Sequence, residues 1–332
     1  VRVRDGDDVR LLEFVGQGPT WQRPPPTHDF AALALAGYAA GTARDLVVDG
    51  PVSRPLLEQL ATLLEQSRAT RPGVPAVAIT ATAEVAEPPP APRRGAVLGF
   101  DGGVDASFAL AAHHDGLPGT TARTISTGVL VVGWTLLPRD EQACTMVQQH
   151  VTEALCAYDA GTRVVATNWR PHFCPAGDPG ALGLLALLAT FSGDHDAAVL
   201  TRATPRPLGT PGFPVLAPGP QYPRLERLRY LSRHPTLLRH LRVCTNPGTN
   251  CGRCESCVRT QVQMRACGID PLVCFPRPMR PHDLQGLRLS PAEADALRAQ
   301  LVRAYPPRTW RASEAAVLAA GPPQASPDAA VG

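Results

Sequence analysis

Lysine is absent: all 32 basic side chains of this 332-residue chain are arginine. That excludes lysine Schiff-base chemistry, and it excludes a Walker-type nucleotide loop, which holds its lysine against the phosphates. Any contact to phosphate must come from arginine, from backbone amides or from a metal ion. Long apolar runs are missing too. The longest, residues 180–191 (GALGLLALLATF), falls well short of the roughly 20 residues of a membrane span and reads as a buried helix. Residues 1–10 are charged and carry no apolar segment of the kind a secretory signal needs, so a cytoplasmic location is expected, with no membrane partner. Net charge is small, +3 without a basic run, and gives no electrostatic case for a nucleic-acid partner.

What is present bounds the class. With 44% hydrophobic and 18% charged residues the chain can bury a sizeable core, which sets it apart from disordered compositions. Its length suits two domains better than one. Nine cysteines, four of them bunched, point to metal rather than to disulfides in a long cytoplasmic chain.

Residues 1–88 read as an α+β extension. Short strands are expected at 1–4, 10–15, 45–48 and 77–82. A helix opens at Ser53, a good N-cap, with Leu56, Leu57, Leu60, Leu63 and Leu64 on one face. The proline-rich stretch 87–94 (EPPPAPRR) reads as a linker, which puts a boundary near residue 90. Residues 95–240 then alternate. Strands are expected at 95–100, 128–134, 163–168 and 197–202, with helices from Ser107, at 140–157 and at 180–191, the pattern of a parallel α/β sheet. A proline- and glycine-rich loop at 204–223 leads to an arginine-rich helix and the cysteine cluster, in a helical module over 241–310. An amphipathic helix is expected at 290–304, and the tail, 320–332, reads as disordered.

The strongest chemical signal is Cys244, Cys251, Cys254 and Cys257 in CTNPGTNCGRCESC. Each C-x-x-C turn aims two sulfurs at one centre, and four thiolates close a tetrahedral, structural zinc site; an iron–sulfur cluster also takes four thiolates and stays open as an alternative. Cys144, Cys156, Cys174, Cys267 and Cys274 read as packing residues. The second signal is the loop Phe100-Asp101-Gly102-Gly103-Val104-Asp105-Ala106-Ser107 between a buried strand and a helix. Its glycines let backbone amides approach an anion, and the helix start adds partial positive charge. Weaker candidates are His113 and His114 on the following helix, and Asn168 and Arg170 after a strand end, where open α/β sheets place ligands.

Together these motifs resemble the PP-loop ATP pyrophosphatases, whose loop reads S-G-G-x-D-S after a strand. The cysteines followed by Arg259 are similar to the zinc module of cyano-deazaguanine synthases, the QueC-like branch. The resemblance covers about residues 95–270. It implies a Rossmann-like parallel sheet of the adenine nucleotide alpha hydrolase type, with the small N-terminal α+β domain and the C-terminal zinc module added. It implies an enzyme that binds ATP with Mg2+, adenylates a carboxylate or carbonyl oxygen of a small-molecule substrate, releases pyrophosphate and passes the activated group to a nitrogen nucleophile as a ligase. Asp101, Gly102, Gly103, Val104, Asp105 and Ser107 would surround the phosphates, with Asp105 facing Mg2+, and Thr167 and Asn168 would lie near the adenine. Arg224 and Arg227 would supply the phosphate contacts that lysine makes elsewhere. Asp101 and Ala106 stand where the family has hydroxyls, and each removes a donor to phosphate. Two alternatives therefore stay open, a PP-loop sulfurtransferase and a nucleotide- or partner-binding protein without catalysis. A homodimer also fits, since exposed sheet edges often pair.

Overall fold

The computed structural model describes residues 1–17, 21–70, 76–86, 95–117, 123–175, 180–201, 208–217, 221–244, 246 and 248–280, with positions 283, 287 and 295. The expected linker at 87–94, the helix at 290–304 apart from position 295, and the tail lie outside the described residues, as do 204–207 and 218–220 of the loop at 204–223. Contacts divide the chain into two units, Val1–Gln221 and Tyr222–Gly332.

The first unit is α/β with a mostly parallel central sheet. Its strands β3(Phe14–Gly16), β6(Ala96–Gly99), β7(Ile125–Val132), β8(Gly161–Thr167), β9(Ala197–Val199) and β10(Val215–Leu216) lie in the order β10-β9-β6-β7-β8-β3. All neighbours are parallel except β3, which runs antiparallel to β8 with Phe14 opposite Thr167. Every residue of β6 and β9 is buried, as a parallel strand covered on both faces requires. Between β6 and β8 the chain runs through α3(Val104–His114) and α4(Glu141–Cys156), and it returns to β9 through α5(Trp169–Phe173) and α6(Ala181–Ala189). Right-handed crossovers put α3 and α4 on one face, because β6, β7 and β8 advance in one direction, and α6 on the other, because the path to β9 doubles back across β6.

Helix α6 packs on β6 and β9 and is itself covered by α1(Asp29–Thr42). That explains why both are apolar nearly all round: α6 is ALGLLALLA, and Ala31, Ala32, Leu33, Ala34, Leu35 and Ala36 of α1 are all buried. Trp169, 1% exposed, ties these layers by donating its indole N–H to the carbonyl of Ala34 at 2.7 Å. Beside α1, β4(Leu46–Ser53), α2(Arg54–Thr70) and β5(Ile79–Val85) form a parallel β-α-β unit with its own two-stranded sheet. Leu56, Leu57 and Leu60 are its buried stripe, while the amide and hydroxyl of Ser53 both donate to Asp29, at 2.8 and 2.6 Å. The single strand expected at 10–15 is two: β2(Asp8–Leu11) pairs antiparallel with β1(Arg2–Asp5), and β3 leaves for the central sheet.

In the second unit, α7(Arg224–Leu231) packs against α8(Pro235–Arg239) and α9(Glu255–Ala266), and a 3-10 turn at Pro271–Val273 closes on α9.

Candidate metal centre and nucleotide loop

The C-terminal ends of β6 and β9 mark where the sheet changes direction: the chain leaves β6 toward α3 on one face, and α6, which leads into β9, lies on the other. In open α/β sheets such a switch point opens the crevice that holds ligands. The loop from β6 into α3 sits there. Phe100 anchors it, 1% exposed, with its N–H on the carbonyl of Val129 at 2.8 Å. Gly102 follows with φ of 79°, a left-handed conformation that glycine adopts without strain, and Gly103 is the N-cap of α3. Helix α3 begins at Val104, three residues before the expected Ser107, so the loop opens directly onto a helix N-terminus.

Asp101, itself exposed, folds its side chain back onto the loop. Its Oδ1 accepts the Gly103 N–H at 2.8 Å, and a Cβ at Gly103 would stand only 2.9 Å from the same oxygen. The loop thus holds an anionic group of its own on one of its amides. Asp105 lies half-exposed in the first turn of α3, whereas Val104, Ala106 and Ser107 are buried on its inner side. Thr167 and Asn168 close β8, at the same end of the sheet, and are occupied by the chain itself. The Thr167 hydroxyl accepts from the Trp169 N–H at 3.1 Å. The Asn168 amide donates to the Leu11 carbonyl at 2.7 Å and accepts from the Glu13 N–H at 2.9 Å, which clips β3 to the sheet. Arg170 is exposed.

His113 and His114 lie in the last turn of α3, at the end away from the loop. His113 is buried, its Nδ1 accepts from the Arg123 N–H at 3.2 Å, and burial lowers its pKa. His114 faces Asp115 and the ring of Tyr158. Arg224 and Arg227 belong to the second unit. On α7, Arg224 donates to Gln263 Oε1 at 3.0 Å and to the Thr260 hydroxyl at 3.4 Å, and Arg227 donates to the Tyr222 carbonyl at 2.8 Å.

The four cysteines of the cluster converge. Their sulfurs all lie within 4.8 Å of one another, with 3.8 Å between Cys244 and Cys254 and 3.9 Å between Cys251 and Cys257. Zinc–thiolate bonds of about 2.3 Å at the tetrahedral angle separate sulfurs by about 3.8 Å. The spacing therefore fits one tetrahedral ion; a multi-iron cluster puts its thiolates on different metal atoms and further apart. This four-cysteine group can hold a metal such as zinc. At Cys251 the local chain favours thiolate: burial raises this thiol, but the N–H groups of Arg253, 3.4 Å away, and Cys254, 3.3 Å away, together with neighbouring thiols, outweigh it and bring Cys251 down to about 6. Cys244 and Cys257 are pushed up by burial, so an ion entering the site displaces their protons.

Three residues beyond the cysteines build this centre. Asn250, 3% exposed, accepts from the Val243 N–H at 2.9 Å and the Cys244 N–H at 3.3 Å, and donates to the carbonyls of Leu241 at 2.7 Å and Cys274 at 3.0 Å. Gln261, fully buried, donates to the Gly252 carbonyl at 3.2 Å and accepts from the Met279 N–H at 2.9 Å; Arg277 donates to the Cys251 carbonyl at 3.4 Å. The only sequence signal for Asn250 is its place beside Cys251. Of the remaining thiols, burial raises Cys144 and Cys267, and pushes Cys274 up to about 12, so none of these three is a ready thiolate. No described helix is long and apolar enough to cross a membrane. Compared with family models, with curated proteins and with solved structures, the chain gives no match in any of the three.

Proposed function

We propose that this chain is an ATP pyrophosphatase of the PP-loop type, in which a Rossmann-like sheet binds ATP and the four-cysteine module carries a structural zinc ion. The observation that carries the reading is the glycine loop at the sheet's switch point. Counted from β6, the strand order is 3-2-1-4-5, shared with dinucleotide-binding α/β folds, and the loop after the first of these strands leads into a helix N-terminus, as a phosphate site requires. In this reading the amides at the start of α3 would receive the phosphates and Asp105 would face Mg2+. A carboxylate or carbonyl oxygen of a small-molecule substrate attacks the α-phosphorus and pyrophosphate leaves. A nitrogen nucleophile then attacks the activated carbon and AMP leaves. Burial raises Cys144, Cys267 and Cys274, which counts against these three, though not against Cys156 or Cys174, as the reactive thiol of a sulfur-transfer route.

The test is Mg2+-dependent ATP binding and pyrophosphate release by the full chain, with pooled acids and nucleobases, metal content on the same sample, and Asp105→Ala as control. Release that disappears in the control supports the reading. A second reading, a binding protein without catalysis, is favoured by one observation, the Asp101 carboxylate on the Gly103 amide. Folded protein with stoichiometric zinc but neither ATP binding nor release would establish it over the first.

A further inference from the structure

We propose that the second unit binds the phosphate backbone of a single-stranded nucleic acid. The small net charge of the chain conceals an uneven distribution: residues 1–221 hold 16 arginines against 21 acidic residues, whereas residues 222–332 hold 16 arginines against 8. The excess is concentrated in the described part. Between 222 and 280 there are eleven arginines and only Glu226, Glu255 and Asp270 to oppose them. A divalent ion on four thiolates would remove two charges and leave this stretch strongly positive.

Two of the three acidic groups are engaged within the unit, while Glu226 is exposed on α7. Glu255 pairs with Arg259 at 2.7 Å, and Asp270 accepts from the Leu272 N–H at 3.0 Å. Arg233, Arg239 and Arg253 are exposed, and their guanidinium groups have no hydrogen-bond or ion-pair partner among the described residues. Arginine binds phosphate and carboxylate oxygens bidentately alike, so the choice of a nucleic acid over an acidic peptide rests on the rings beside these cations. Aromatic rings are interleaved with these arginines. Tyr230 and His234, partly exposed and adjacent in sequence to Arg229 and Arg233, stack with centroids 5.2 Å apart, the combination of cation and ring face on which unpaired bases settle. A duplex groove is a poor fit: α7 and α8 are short, and α9 is buried over most of its length, from Cys257 to Ala266, so it cannot enter a major groove. The inference does not depend on adenylation.

Anisotropy of a fluorescein-labelled oligouridylate of about 20 nucleotides, longer than one single-strand site, tests it with the full-length zinc-loaded protein. We expect binding at about 50 mM NaCl that weakens steeply toward 300 mM, and a triple variant Arg233→Gln, Arg239→Gln, Arg253→Gln that binds at least about tenfold more weakly with a log–log salt slope shallower by about 2, from roughly 0.7 per lost phosphate contact. Zinc content and far-UV circular dichroism should not change. Where they do, the single variant Arg239→Glu, at the exposed end of α8, replaces the triple variant. Absence of binding by the wild type at low salt, or an unchanged slope and affinity in the folded variant, overturns the proposal. Labelled polyglutamate bound as tightly as RNA overturns it in favour of an acidic protein partner.

Discussion

Asn250 should matter to the cysteine centre nearly as much as a cysteine does. Its side chain makes four hydrogen bonds, at 2.7, 2.9, 3.0 and 3.3 Å, to backbone groups of Leu241, Val243, Cys274 and Cys244. These partners span 34 residues of chain, Leu241 to Cys274, and include the segment that carries the first ligand. Asn250→Ala strands two N–H groups and two carbonyls at a site where the native side chain is 3% exposed. A typical hydrogen bond contributes about 1 kcal/mol net, and a buried group left unpaired costs about 1–3 kcal/mol. Water entering the gap recovers part of that, and the 3.3 Å bond is weak, so the loss should come to about 3 kcal/mol. Metal binding and local folding are one equilibrium in a module of this kind, so the same loss appears as roughly a hundredfold drop in apparent zinc affinity. Asn250→Asp should be worse, because a carboxylate oxygen would face the carbonyls of Leu241 and Cys274 and stand close to the thiolates. Chelator competition and denaturant unfolding read the two effects separately. An Asn250→Ala protein within about 0.5 kcal/mol of wild type, with unchanged zinc affinity, would refute the reasoning.

Other outcomes follow from the same structure. Asp101→Ser removes the carboxylate from the Gly103 amide and restores a hydroxyl, so ATP affinity measured by calorimetry should rise on the order of tenfold or more, while unchanged or weaker affinity would contradict the loop assignment. His113 and His195 are buried and their pKa values lie below 6.5, chiefly through desolvation, so the unfolded chain protonates first as pH falls. Their contribution to stability is full above about 6.5 and declines below it, through the depressed folded values; denaturant midpoints from pH 8 to 5 should show this, and His195→Gln should flatten the decline. Gly128→Ala would put a Cβ 2.4 Å from Cδ1 of the fully buried Leu155, where α4 lies on β7, and should lower stability by about 1–3 kcal/mol in thermal unfolding, with no change in zinc content.

The regular part of the first unit was legible because its signals are local. Residues 96–99 form a short, wholly apolar run bounded by glycine, residues 141–156 repeat at helical spacing, and each reads correctly without knowledge of its neighbours. Helix α1 escaped notice for the opposite reason. Covered by α6 on one side and by β4 and α2 on others, it needs no polar face, and a run such as AALALAGYAA has no period to detect. The split of residues 8–16 into β2 and β3 was equally hidden, since it depends on Asn168, more than 150 residues away, taking hold of Leu11 and Glu13. The cysteines were legible through their spacing alone. Asn250 was not, because what makes it important is the position of the Leu241 and Cys274 carbonyls, and spacing says nothing of those.

Asp101 bears directly on the proposed nucleotide site. Gly102 takes a left-handed turn and Gly103 caps α3, the conformations that reading needs. A serine at 101 would offer a hydroxyl to an incoming phosphate. The aspartate instead satisfies the Gly103 N–H with a charged acceptor, in an exposed bond that solvent screening holds to about 1 kcal/mol. A nucleotide entering the loop must displace that carboxylate or approach beside it. Either route weakens binding by roughly five- to tenfold, unless a divalent cation draws the carboxylate and the phosphate oxygens to itself at once. A loop of this kind therefore ties nucleotide binding to magnesium more tightly than a hydroxyl-bearing loop does. The adenylating reading survives only if that coupling is found, for ATP bound as firmly without magnesium as with it would leave Asp101 and Asp105 no part in holding the phosphates.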